Sequence, residues 1–457
     1  MRTARRSIVA IGLCSALALS ANAVANAGSP RLTASRTVSD PLVGWWQYHG
    51  SSTRSGRVRT APRNPLHRRW SRTLVGSVYG EPLVVGSTLI VATERNYVYG
   101  LDARTGRTLW HSGQLGAPAR MSDLPCGDID PLGITGTPAY DPASGLVFVA
   151  SETTGGIHTL WALDARTGVG RWHRGLDTQP NRDRSAEQQR SALLVTNGRV
   201  IVAFGGLAGD CGNYVGYLVS TPTTGRGTSY SYAIPTSREG GIWSTPGPVA
   251  GYHGNLYVAA GNGADLTGTW EKSDSVTELT PTKLSPVSAF APSTWQEDNQ
   301  QDLDLGSSSP VIVGAVGRLV IAGKRGMVYL LKPTMSGIGS QVAQLNGCTA
   351  FGGAAVVDTT VLMPCKGQNS IRALHVGPTS LAWSWTRNGV YSSPVIAGNY
   401  VYVADLSSGD LLVLSLAHGN VLGRYHVGAM PHFPSQIVSG GWVFVPSLAG
   451  VTAFRGS

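Results

Sequence analysis

Six apolar runs in this chain end in a polar, ionisable or sulfur-bearing residue. They are LIVATE, LVFVASE, LYVAAGN, LVIAGK, VLMPC and VYVAD, which finish at Glu94, Glu152, Asn262, Lys324, Cys365 and Asp405. Two further segments carry unusual groups: GGIW, with Trp243, and QQDLDLGSSSP, with Asp302 and Asp304. Carboxylates accept protons and ligate hard cations, an ammonium group stabilises charge developing on oxygen, and an indole offers a flat stacking face. These groups lie far apart in the chain, so they act together only if the fold brings the strand ends to one place. An extended Asp-Leu-Asp would direct Asp302 and Asp304 to the same side.

The elements that must do this are repeats. LDARTG occurs at 101–106 and again at 163–168, each time followed by a tryptophan, Trp110 or Trp172. The first copy reads as strands a to d over 82–85, 88–93, 97–101 and 107–111, with DARTG as the c–d turn. Weaker copies begin near Ala192, Ser244, Ser308, Gly353, Ser392 and Pro434. With no helical period between them, the expected fold is all-β, an eight-bladed β-propeller of four-stranded antiparallel blades over 44–457. Seven blades is the alternative, because the third and sixth units are degenerate. Asp102 and Asp164 suit a turn by accepting backbone N–H groups two residues on, and Gly106 and Gly168 accept positive φ. The last copy ends after three strands. Its missing fourth strand is expected from HRRWSRTL, residues 67–74, closing the ring and removing two open edges. In such blades the d–a and b–c loops open on one face, which gathers all the residues named above.

Composition narrows the class. Charged residues are 14% of the 457, glycine numbers 59 and the formal charge is +10, spread without a nucleic-acid stripe or motif. Arg2, Arg5 and Arg6, a short apolar run over 8–19 and Ala25-Asn26-Ala27 read as an export signal over 1–27, followed by a flexible linker over 28–43. The run is too short to span a membrane, so the mature chain is expected to be secreted or held in the cell envelope, with no membrane span. Four cysteines remain after cleavage, an even number that suggests two disulfides. Cys126, Cys211, Cys348 and Cys365 all sort to the proposed face. The pairs 126–211 and 348–365 are favoured among three possible connectivities. There is no Cys-x-x-Cys-His haem site and no zinc spacing.

The ALDARTGxxxW repeats resemble the pyrroloquinoline-quinone (PQQ) repeats of quinoprotein alcohol dehydrogenases and of related non-catalytic propellers. The resemblance implies PQQ and Ca²⁺ as cofactors, an alcohol-type small molecule as substrate and a separate electron acceptor. It implies Glu152, Asn262 and Asp302 at the metal, and Trp243, Glu152, Asn262 and Lys324 at the quinone. Asp302 is then the catalytic base, with Asp304 its competitor, and Lys324 touches the quinone oxygens. The chain departs from the pattern in lacking an adjacent Cys-Cys pair and in being shorter than most of those enzymes. The alternative expectation is a non-catalytic propeller that uses its loops or blade edges to bind a protein or polymer.

Overall fold

The computed structural model describes residues 42–266 and 268–457. The expected export signal, and the linker up to residue 41, lie outside them. The described residues form eight small sheets, and blades 1 to 7 each read in chain order from the first strand to the fourth. Blade 1 is Leu83–Val85, Thr88–Ala92, Val98–Asp102 and Thr108–His111. Blade 2 is Ala139–Asp141, Leu146–Thr153, Ile157–Asp164 and Gly170–Gly175. First strands of neighbouring blades touch one another, so they surround the axis. Burial follows from that position: second and third strands are near-continuous apolar runs, whereas the fourth strand of blade 6, Leu381–Asn388, alternates strictly between exposed and half-buried residues.

Blade 8 completes itself from the other end of the chain. Its strands Ile437–Ser439, Trp442–Ser447 and Gly450–Gly456 are joined by Leu66–Thr73, which pairs antiparallel with the last of them. The expected ring closure is therefore the observed one.

The repeated turn couples each blade to the next. Asp102 Oδ1 accepts the N–H groups of Arg104 and Thr105 at 3.0 and 2.9 Å, and Asp164 does the same for Arg166 and Thr167 at 3.0 and 3.1 Å. Gly106 and Gly168 then turn at φ of 71° and 72°. A side chain on either would also collide with an indole, Trp70 against Gly106 and Trp110 against Gly168. The pattern recurs with Trp172 against Gly225 and Trp385 against Gly419. These four outer-strand tryptophans each seat on the turn glycine of the following blade. Trp70, from the strand that completes blade 8, seats on blade 1.

A second device runs across the axis. Val43 exchanges hydrogen bonds with Ser439 of blade 8, and Trp45 with Val84 of blade 1. Trp46 accepts from Tyr140 of blade 2, and the Gln47 amide pairs with the Val195 backbone of blade 3. The carbonyls of Ser52, Ser55 and Gly56 accept from Ala250, Val356 and Ile396, on the first strands of blades 4, 6 and 7. Buried Arg54 donates to the Leu193 carbonyl at 2.9 Å. This strap fills the axis on the side of the a–b turns and leaves the opposite mouth open.

These contacts set two expectations for stability. Trp110→Ala should cost about 2 kcal/mol, since a half-buried indole loses its seat. Removing residues 42–73 should abolish folding, because it deletes strap, fourth strand and Trp70 together. Denaturant unfolding checks both; a Trp110→Ala change within about 0.5 kcal/mol of zero, or a folded truncation, would contradict them.

Candidate active site

The open mouth holds a cavity of about 620 Å³, within the range of small-molecule sites. Its lining includes Trp243, Asn262, Asp302, Asp304 and Lys324, drawn from the start of blade 4 to the end of the second strand of blade 5.

Glycine lets these residues meet. The segment before blade 4 runs antiparallel to the segment after its second strand: Gly240 donates to the Asn262 carbonyl at 2.7 Å and Gly261 to the Gly241 carbonyl at 2.9 Å. A Cβ on Gly261 would strike Asp304 Oδ1 and lie 3.4 Å from the Trp243 indole nitrogen. Gly261 thus lets the Asp304 carboxylate reach the backbone beside the Trp243 indole, where any side chain would block it. Asp304 Oδ1 accepts the Asn262 N–H at 2.7 Å, and the Asn262 amide donates to Glu239 Oε2 at 3.2 Å. Lys324 bridges Asp302 and Asp304, its Nζ 2.6 Å from an oxygen of each. The same ammonium lies 5.7 Å from the Trp243 ring centroid. Phe351 and Phe433 lie beside the Trp243 ring, at 6.4 and 6.5 Å, and nearly parallel to each other at 6.0 Å, and Arg190 pairs with Asp128 at 3.1 Å.

The two disulfides stiffen this rim. Cys126–Cys211 ties the 115–136 connection to the loop carrying Ala208, Gly209 and Asp210, which line the cavity. Cys348–Cys365 closes the segment that presents Phe351.

Comparison with known proteins agrees with this architecture. Residues 51–263 match the family model described as "Outer membrane protein assembly factor BamB", a PQQ-repeat model. A polyvinylalcohol dehydrogenase of Sphingopyxis sp. (strain 113P3) is 24% identical over 88% of this chain and 72% of its own length. One from Pseudomonas sp. is 22% identical over 80% of this chain and 64% of its own length. The chain is an eight-bladed β-propeller whose residues 51–263 match a PQQ-repeat model. The fold of this propeller is also that of the quinohemoprotein alcohol dehydrogenase from Comamonas testosteroni, with a TM-score of 0.70 at 17% identity, covering 91% of this chain and 81% of that one.

Within this propeller, Glu152 and the Asp-Leu-Asp segment stand apart from the expected arrangement. Glu152 does not line the cavity. Its carboxylate is buried 3.3 Å from His158, because the second strand of blade 2 continues to Thr153 and carries the residue into the sheet. Glu239, three residues before Ile242 in REGGIW, holds the carboxylate beside Asn262 instead. The Asp-Leu-Asp segment is not extended either. A helix, Trp295–Gln301, precedes it, and Asp302 caps that helix in the left-handed region at φ 54°. Both carboxylates nevertheless reach Lys324, with different exposure: the Asp302 side chain is 60% exposed and that of Asp304 5%.

That difference selects Asp304 as the perturbed group. Burial pushes it up to about 6, against the pull of Lys324, and the neighbouring Asp302 charge adds to the rise. Burial also raises Glu239, opposed by Arg238, and raises Asp274, whose carboxylate accepts the Leu305 N–H at 2.9 Å behind Asp304. Sequence reasoning missed Glu239, Arg190, Asp210, Phe351 and Phe433. Glu239 carried a usable signal, an acid set directly against the Gly-Gly before Trp243; the aromatics carried none, since nothing local marks them as rim residues.

Carboxyl NMR of the free protein should therefore show Asp304 titrating near 6, and Lys324→Met should move it higher by removing the charge that favours the carboxylate. A midpoint in the ordinary aspartate range, unmoved by Lys324→Met, would contradict this electrostatic assignment.

Proposed function

We propose that this chain is an exported quinoprotein-type dehydrogenase that oxidises a hydroxyl compound at the axial cavity, with PQQ and Ca²⁺ bound there and a separate electron acceptor. The observation that carries the reading is the convergence on one cavity of an indole, hard oxygen donors, a buried carboxylate of raised pKa and an ammonium group. The residues present suit both cofactors. The absence of a side chain at Gly261 lets the Asp304 carboxylate sit against the backbone beside the Trp243 indole, and both line the cavity. Asn262, Glu239 and Asp304 offer amide and carboxylate oxygens, the donor set that a hard cation takes. Arg190 and Lys324 supply positive charge to a polycarboxylate quinone. When bound, the quinone supplies the two-electron acceptor for the hydride of the carbinol carbon, and the cation supplies a Lewis acid.

The chain's own residues have separable roles in this reading. Asp304, buried and raised, takes the hydroxyl proton, since a base poised near the working pH is the efficient one. Asp302, on the rim, shares Lys324 and keeps the ammonium oriented. Trp243 supplies a flat floor, and Phe351 and Phe433 beside it add an apolar wall against water. The two relatives are named as polyvinylalcohol dehydrogenases, so secondary alcohols, including polymeric ones, are the proposed substrate class. A non-catalytic scaffold is the second reading, supported by the match of residues 51–263 to the assembly-factor model.

Adding PQQ and Ca²⁺ to the purified protein should give a saturable change in quinone absorbance, weakened by Glu239→Gln. Asp304→Asn should retain the quinone yet lose about 10²- to 10⁴-fold in turnover of a secondary alcohol. The wild-type rate limb should rise with pH through about 6, as Asp304 ionises. No quinone binding at cofactor excess supports the scaffold; full turnover by Asp304→Asn removes that residue from the chemistry.

A further inference from the structure

A second cluster of ionisable groups lies between blades 2 and 3, outside the cavity. His158 begins the third strand of blade 2 and is fully buried. Its Nδ1 is 2.8 Å from Asp177, and its Nε2 is 3.3 Å from Glu152. Asp177 follows the last strand of blade 2. Glu187, also buried, lies on the short strand Glu187–Gln188, which pairs with Gly205 and Gly206 of blade 3. One ligand atom each from His158, Asp177 and Glu187 all lie within 4.8 Å of one another.

The hydrogen bonding of this cluster is incomplete. Glu152 Oε1, His158 Nε2 and Glu187 Oε1 are buried and have no hydrogen-bond partner, although Tyr217 donates to the other Glu187 oxygen at 3.0 Å. Three carboxylates face a single imidazole, so the fully ionised cluster is short of positive charge even with His158 protonated. A Phe204 ring packs edge-on against the imidazole at 5.0 Å and closes one side. The Asp177 side chain is 23% exposed and leaves an entry path on the other.

The geometry points to a divalent-cation site formed by His158, Asp177 and Glu187, with Glu152 beside the imidazole. One nitrogen and two or three carboxylate oxygens suit a borderline first-row ion of the Zn²⁺ or Mn²⁺ kind better than Ca²⁺, which prefers an all-oxygen shell. The ion supplies the missing charge and joins blade 2 to the Glu187–Gln188 strand. That strand runs directly into the cavity wall, to which Gln188 and Arg190 contribute. The site is therefore structural and braces one side of the mouth.

The test uses the full chain, stripped with chelator and titrated with Co²⁺ and Zn²⁺. One Co²⁺ per chain should bind with a ligand-field band showing nitrogen and oxygen ligation, be displaced by Zn²⁺, and raise the melting temperature. Asp177→Asn, at the accessible edge, and Glu187→Gln should each lower the affinity about 100-fold or more, while Asp304→Asn should leave it unchanged. Folding of each variant is checked by its melting transition without metal. The proposal is overturned if the wild-type protein takes up no metal, or if folded Asp177→Asn and Glu187→Gln bind as the wild type does. It is likewise overturned if Asp304→Asn alone abolishes binding, which would locate the ion in the axial cavity.

Discussion

The seat of an outer-strand tryptophan on the turn glycine of the next blade is the contact on which the rest of this molecule depends. A four-stranded sheet cannot bury both of its faces alone, and the indole spans the gap to its neighbour. The turn needs an aspartate to gather its N–H groups and a glycine for positive φ. The same glycine removes the Cβ that the indole would otherwise strike. One position thus answers a local and a long-range demand at once. Because Trp70 comes from the N-terminal strand, the last of these seats also closes the ring.

Much of this was legible in the sequence. LDARTG with its following tryptophan states strand, turn and strand in one phrase, and the incomplete final unit points to HRRWSRTL as its missing edge. The axial strap was not legible. Residues 43–56 hold no periodic pattern, since they bond to seven different blades in turn and form little regular structure of their own. The mouth was legible at Trp243, Asn262, Asp304 and Lys324, whose place follows from the end of a strand. It failed at Glu152 for a physical reason: the second strand of blade 2 runs through Glu152 to Thr153, whereas those of blades 1, 4 and 5 stop before Glu94, Asn262 and Lys324, so the carboxylate is drawn from the loop into the sheet. An unbroken apolar run gives no sign of where the ladder stops.

The two acidic clusters show how burial divides similar residues between roles. Asp304 is buried yet held by an ammonium and a backbone N–H, so it stays within reach of ionisation near neutral pH. Glu152 and Glu187 share one imidazole and retain unpartnered oxygens. The first arrangement suits proton transfer beside an open cavity. The second suits a bound charge in a closed seam. Both stand on glycine-rich or short pairing segments where blades 2 to 5 meet the mouth, and the disulfide Cys126–Cys211 holds the loop between them.

The central claim is that ring closure brings distant side chains into one cofactor-sized hollow above Trp243. A crystal structure of the protein grown with PQQ and Ca²⁺ tests it most directly. The account predicts the quinone lying flat on Trp243, with the cation held by oxygens of Asn262, Glu239 and Asp304 and with Lys324 against the ring oxygens. Density for the quinone elsewhere, or a hollow that stays empty of it at saturating concentration, would contradict the account.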